Sequence, residues 1–170
     1  GGVIQVFTRK GREGFQPSVR AGIGTDGART LGATLAGGAE RLRYSVSVGS
    51  ERSDGIDAKP NSARGSDGDD DGFRNDYFSG SVSLGFRETD EIGLTMLHSD
   101  MRNWYDNAKL FDSYLDKRTS SVGLHMRNQI TSDWTSTLRF GYGVDESRNR
   151  ADLNDRSAFD TEQRQLTWQH

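Results

Sequence analysis

The sequence predicts an all-β protein, an antiparallel transmembrane β-barrel of which this chain carries about eight strands. Three observations predict it. Apolar and polar residues alternate with a period of two, as in Leu42, Tyr44, Val46 and Val48 against Arg43, Ser45 and Ser47, which marks a strand with two unlike faces. The chain is polar and glycine-rich, with 32% hydrophobic residues and 21 glycines in 170, too little apolar material for a thick two-sheet core. Apart from the first, near residue 26, the connections alternate between short (near 38, 90 and 132) and long (near 64, 110 and 152), the arrangement of outer-membrane barrels.

Taken in order, residues 3–8 (Val-Ile-Gln-Val-Phe-Thr) read as a short strand, and residues 10–14 as a linker. Residues 15–25 alternate, with Val19, Ala21 and Ile23 opposite Arg20, Gly22 and Gly24. Pro17 lies near the start, where a missing N–H is tolerated. Asp26-Gly27 signals a hairpin turn. Residues 29–37 form the next strand, and residues 37–40 turn the chain. The strand through 42–48 leads into an acidic loop over residues 53–75. Phe78, Val82, Leu84 and Phe86 alternate with serines and glycine, and Thr89-Asp90-Glu91 turns. The next strand runs from Ile92 to Trp104-Tyr105, followed by a loop expected over 106–116. Val122, Leu124 and Met126 belong to the sixth strand, and Thr131-Ser132-Asp133 turns the chain into 134–144. A polar loop over 147–158 precedes a last strand ending at Leu166 and Trp168. About ten residues per strand suits a tilted membrane crossing.

Aromatic residues fall toward two levels. Tyr44, Phe86, Trp134 and Trp168 lie near the short turns, and Phe78, Trp104 and Tyr142 toward the long loops, as two interfacial belts would require. The opposite faces carry Ser, Thr, Gly and the arginines 20, 43, 87, 127 and 139. A wet lumen accepts such residues and a dry core does not.

Several function classes lose support. No apolar run approaches the roughly 18 residues of a membrane helix. The net charge of −3, from 22 basic and 25 acidic residues, leaves no nucleic-acid footprint. With no cysteine there is no disulfide framework or thiolate metal site. Gly22-Ile23-Gly24-Thr25-Asp26-Gly27 has dinucleotide-binding spacing, but the segment after it alternates like a strand where that motif needs a helix. His98, His125 and His170 show no metal-ligand or nucleophile–base spacing, so no catalytic residue is named and no enzyme activity is expected. The chain opens in strand-like sequence, and its natural N-terminus is expected upstream.

The chemistry concentrates in the acidic loop. Aspartates 54, 57, 67, 69, 70, 71 and 76 face only Lys59, Arg64 and Arg74. Asp67, Asp69 and Asp71 followed by Gly72 form the front half of an oxygen-ligand calcium loop. The twelfth position counted from Asp67 is Phe78 where an EF-hand needs Glu. The remaining ligands would come from elsewhere, with Asp100 and Asp106 flanking the next loop on the same side. A solvated anionic loop is the other reading of these residues. Trp104, Tyr105, Phe111 and Tyr114 lie near loop tips, where they would stack on a ligand or on one another.

With this layout in view, Gly1-Gly2-Val3-Ile4-Gln5-Val6-Phe7-Thr8-Arg9-Lys10-Gly11 resembles the last plug strand of a TonB-dependent outer-membrane receptor and its exit into the barrel. The resemblance implies a plug end over residues 1–10 and the first part of a barrel of about twenty-two strands over residues 11–170. Within the family the chain is most similar to cobalamin transporters, through Asp69-Asp70-Asp71-Gly72-Phe73. That likeness implies calcium held in outer loops, with Asp57, Asp100 and Asp106 joining Asp67, Asp69 and Asp71; the loop-tip position of Trp104 and Tyr105, apart from the likeness, makes them the candidate ligand contacts. The likeness also implies a Gram-negative outer-membrane location, an energy-transducing TonB partner acting through a plug segment outside this chain, surrounding lipid, and a scarce nutrient chelate as cargo. Siderophore receptors carry a related stretch. A soluble calcium-dependent β-domain of adhesin or lectin type, and a plugless porin-like barrel, are the other readings.

Overall fold

The structure, a computed structural model, describes residues 11–59, 68–108 and 111–170. The expected plug strand over residues 1–10 therefore lies outside the described residues. Eight strands follow one another: β1 (Gly14–Ile23), β2 (Arg29–Ala39), β3 (Leu42–Ile56), β4 (Asp71–Gly85), β5 (Glu91–Ala108), β6 (Phe111–Gln129), β7 (Thr135–Arg150) and β8 (Arg156–Gln169). Each pairs antiparallel with the next, giving one sheet in the order β1 to β8. The expected all-β, antiparallel architecture of about eight strands is the observed one. The sheet is open, with β1 and β8 at its edges.

The turn chemistry fixes the hairpins. Asp26 and Gly27 take φ of 53° and 63°, and the Ala28 N–H donates to the Thr25 carbonyl at 3.0 Å. Two successive positive φ values make a type I′ turn, whose twist matches the strands it joins. At the opposite end the buried Asp90 ties two turns together. Its carboxylate accepts the Gln129 N–H at 2.7 Å and faces Arg87 at 3.6 Å.

Within the expected loops over 106–116 and 147–158, residues 106–108, 111–116, 147–150 and 156–158 are instead strand. β5 and β6 are joined across residues 109–110, and β7 and β8 across 151–155. Among the described connections only 57–70 is long. β6 has 19 residues, nearly twice the roughly ten that cross a bilayer. These strands continue because facing charges replace apolar contacts in the ladder, as Arg102 opposite Asp116 and Arg118 opposite Asp100 show.

Register sets the two faces. Leu42, Leu84, Ile92, Met126, Leu138 and Trp168 stand side by side across β3 to β8. One row further, Tyr44, Val82, Leu94, Leu124, Phe140 and Leu166 do the same. Val46, Met96, Val122 and Tyr142 form a third row, and Val48 and Phe78 begin a fourth that continues into His98 and Ser120. Beyond it the same face turns ionic, through Asp76, Asp100, Arg118, Glu146 and Asp160. From Phe86 to Phe78 the apolar zone covers about 26 Å of strand, or roughly 20 Å of height at a 40° tilt. The opposite face is small and polar, with rows such as Thr34, Ser47 and Ser79 or Ser45, Ser81 and Thr95.

Phe78 and Tyr142 therefore end the apolar zone, as the belt pattern requires. Trp104 does not. It sits six residues beyond His98 on β5, about 20 Å further along the strand, above the ionic rows.

Among the described residues no second layer covers the apolar rows. Among the described residues the buried apolar side chains are Ala36 and Ala151, while Leu84, Leu124, Phe140 and Trp168 are all exposed. The accessible area is 12206 Å², against roughly 8300 Å² for a compact monomer of this mass. The strands pair with one another between the open edges of β1 and β8, while the apolar rows of one face lie exposed.

Candidate metal centre at the loop end

The acidic site is built on a bulge. β3 and β4 stay in register up to Ser53 opposite Phe73, then slip so that Ile56 faces Asp71. Gly55 makes the slip, with φ of +81°. A Cβ there would lie 2.0 Å from the Asp71 carbonyl oxygen, and one on Gly72 would lie 2.6 Å from that of Ser53. The two backbones thus approach more closely than any side chain permits. The extra residue of this bulge lies on β3, opposite the first residues of β4, where Asp71 sits. A second bulge, between Tyr105 and Ala108, puts its extra residue on β5, next to Asp106.

These two irregularities converge. Asp69, Asp71 and Asp106 each offer a carboxylate oxygen, all within 4.8 Å of one another. One ion with metal–oxygen distances of about 2.4 Å spans that separation. Asp106 is 6% exposed, Asp71 half-buried and Asp69 exposed. Three carboxylates at a 4.8 Å separation repel by about 3.5 kcal/mol per pair at an effective dielectric of 20, and by less at the exposed Asp69, which water screens. Lys59 brings one positive charge close, its Nζ donating to the Asp106 carbonyl at 2.6 Å. Ala58 N–H donates to the Asp71 carboxylate at 3.3 Å. The donor set is all oxygen, which suits a hard cation such as calcium.

The other sequence-predicted ligands stand elsewhere. Asp57 accepts the Lys59 N–H at 3.2 Å, closing a local turn. Asp100 is six residues before Asp106 on β5, where it accepts from Arg118 at 2.8 Å and meets His98 Nε2 at 3.0 Å. It belongs to the ionic ladder of the strand face, not to the trio. Asp67 lies outside the described residues.

Trp104 and Tyr105 are also separated, because neighbours on a strand point to opposite faces. Trp104 pairs with Tyr114 in register, and the Arg102 guanidinium lies 4.3 Å from the Tyr114 ring centre and 5.8 Å from that of Trp104. The same guanidinium holds Asp116 through two hydrogen bonds, at 2.6 and 2.8 Å. Tyr105 donates to Asn149 Oδ1 at 2.6 Å. Arg102 of the same strand thus lies near the Trp104 ring, and the Tyr105 hydroxyl is tied to β7.

Gly55 and the β5 bulge were not legible as site elements. Gly55 had a signal, the Asp54-Gly55 pair inside a polar run. The bulge on β5 had none, since bulges follow from pairing. No protein-family model matches the sequence, and no curated protein matches it.

Proposed function

We propose that the chain is the early barrel segment of a TonB-dependent outer-membrane receptor that imports a scarce nutrient chelate, with cobalamin as the cargo. The observation that supports this reading most is the single-layer sheet with one apolar and one small-polar face. Lipid would cover the apolar rows, and the polar face would line a wet lumen closed by a plug. A soluble calcium-dependent domain would need a second layer over those rows, and among the described residues there is none. The missing strands would pair with the open edges of β1 and β8, leaving no edge in lipid.

In this reading Asp69, Asp71 and Asp106 would hold calcium, which would neutralise their mutual repulsion and tie the 57–70 loop to the tip of the β5–β6 hairpin. The ion would fix two acidic segments into one shape for capture. Transport would draw energy from a TonB-type inner-membrane partner acting on the plug.

The test is uptake by cells producing the full-length protein, with radiolabelled cobalamin and a panel of ferric siderophores offered separately. Expected are recovery of the protein in the outer-membrane fraction and accumulation of cobalamin that stops when the energy transducer is deleted. Siderophore accumulation instead would reassign the cargo within the same family. Energy-independent permeation would favour the plugless porin-like barrel, and recovery in a soluble fraction would reject the receptor reading.

A further inference from the structure

The tip of the β5–β6 hairpin is fastened to the β7–β8 turn by contacts that strand pairing does not supply. The β6–β7 ladder ends at Tyr114 opposite Arg150. One residue beyond it, the Ala151 carbonyl accepts two side-chain hydrogen bonds, from Asn107 Nδ2 at 2.8 Å and from Ser113 Oγ at 2.8 Å. One donor stands on β5 and the other on β6, so the carbonyl is held from both sides of the hairpin. A carbonyl oxygen offers two lone pairs, and both are used. Ala151 in turn opens the connection to β8, its N–H donating to the Asp155 carbonyl at 3.0 Å. Ser113 is fully buried and Ala151 is 8% exposed.

This fastening lands on the metal centre. Between the pairs Tyr105–Ser113 and Ala108–Phe111, the β5 bulge sets Asp106 and Asn107 against Asp112 alone. Asp106 contributes a carboxylate oxygen to the acidic trio, and its neighbour Asn107 grips Ala151. On the other flank, Tyr105 is tied to Asn149 of β7 at 2.6 Å. Asp106 is therefore bracketed by two side chains anchored on β7 and the turn beyond it. A bulge disrupts the ladder locally, so side-chain anchors take over the placing of its residues.

Resting on the metal reading above, we propose that Asn107 and Ser113 are positioning residues for the metal centre, and that through the Ala151 carbonyl they couple cation binding to the β7–β8 turn. Groups that orient a metal ligand from behind tune the affinity of the site. A cation that draws Asp106 toward Asp69 and Asp71 favours the bulge geometry in which Asn107 reaches Ala151. By linkage, the hold that the ion adds to residues 151–155 returns to the ion as affinity. The turn contributes no carboxylate to the trio, so its response to the ion would travel through the two side chains.

The test is a calcium titration of the full-length protein in detergent with two readouts. Protease cleavage within residues 53–75 reports ion binding, and amide hydrogen exchange over residues 151–155 reports the turn. In the parent protein both segments should become protected over the same calcium range. Combined Asn107→Ala and Ser113→Ala should raise the calcium concentration needed to protect 53–75 by about tenfold. The same variant should abolish the calcium dependence of exchange over 151–155. Thr119→Ala, which removes a hydrogen bond to Asp145 lower on β6 and β7, should leave both readouts unchanged. Parent-like calcium affinity in the double variant would overturn the proposal. So would a parent turn that exchanges at one rate with and without calcium while 53–75 is protected, and either result leaves the metal centre standing. Protection of neither segment in the parent would remove the metal centre, and the coupling with it. Unchanged heat-modifiability of the double variant separates lost coupling from lost folding. If that variant fails to fold, Asn107→Ala alone, at an exposed position, should weaken calcium binding by about threefold, and parent-like affinity there would overturn the proposal.

Discussion

One face of β5 carries Ile92, Leu94 and Met96 below His98, and Asp100, Arg102 and Trp104 above it. The backbone ladder runs through both halves without change of register from Glu91 to Tyr105. Only the side chains differ, and they differ in the same place on β4 and β6. Below the boundary, neighbours in a row are Leu, Val, Met and Phe, which gain nothing from one another until water is excluded. Above it, neighbours are Arg102 with Asp116 and Arg118 with Asp100 and Glu146, which lose by leaving water. Hydrogen bonding sets the sheet, and a single continuous hairpin carries both an apolar and an ionic zone on one face. In the proposed reading that boundary is the level at which lipid gives way to water.

Substitutions divide along that boundary. The largest effect is expected for Leu124→Arg in the second apolar row, a loss of about 2–4 kcal/mol in bilayers, read by denaturant unfolding of the full-length protein in phospholipid vesicles. Ser120→Arg, four residues up the same face, should cost less than about 1 kcal/mol. Equal losses at the two positions would erase the boundary. Gly55→Val comes next, since a β-branched residue at φ of +81° strains the backbone by about 1–3 kcal/mol and drives into Asp71. Its expected readout is protease cleavage within residues 53–75 at calcium concentrations that protect the parent protein.

Combined Asp69→Ala and Asp71→Ala should remove calcium protection of that loop altogether, as should Asp106→Ala. Asp100→Ala should leave it intact, because Asp100 serves the ladder. Loss of protection in Asp100→Ala would place it back among the ligands. The smallest effect is expected at Arg102 and Asp116. A double-mutant cycle with Ala should give a coupling of about 1 kcal/mol or less, falling with salt, because both side chains are about two-fifths exposed.

The apolar half of the sheet was legible because alternation there contrasts Leu, Val and Phe with Ser and Gly. Strand order, the Asp26-Gly27 turn and the inward serines follow from that contrast. The upper ends of β6 and β7 were read as loop because the contrast vanishes when both faces are polar. Ser147, Arg148, Asn149 and Arg150 show no hydrophobic period, yet all pair. A different period was present, in charges two residues apart on β5, β6 and β7 that match only when the strands are laid side by side. The metal trio was half legible: Asp69 and Asp71 declared themselves by spacing, and Asp106 emerged with the loop it flanks. Separating Asp106 from Asp100 needed the β5 bulge, and excluding Trp104 from the interfacial belt needed the full length of the strand.

The most direct measurement is nitroxide scanning of β6 in the full-length, bilayer-reconstituted protein, one cysteine at a time in a chain segment that has none of its own. Accessibility to oxygen, which partitions into lipid, is compared with accessibility to a water-soluble nickel chelate. Positions 122, 124 and 126 should favour oxygen, and positions 121, 123 and 125 the chelate. Positions 114, 116 and 118, on the same face as 122, should also favour the chelate. Oxygen preference continuing through 116 and 114, or no alternation below 120, would contradict a sheet whose one face passes from lipid to water at His98.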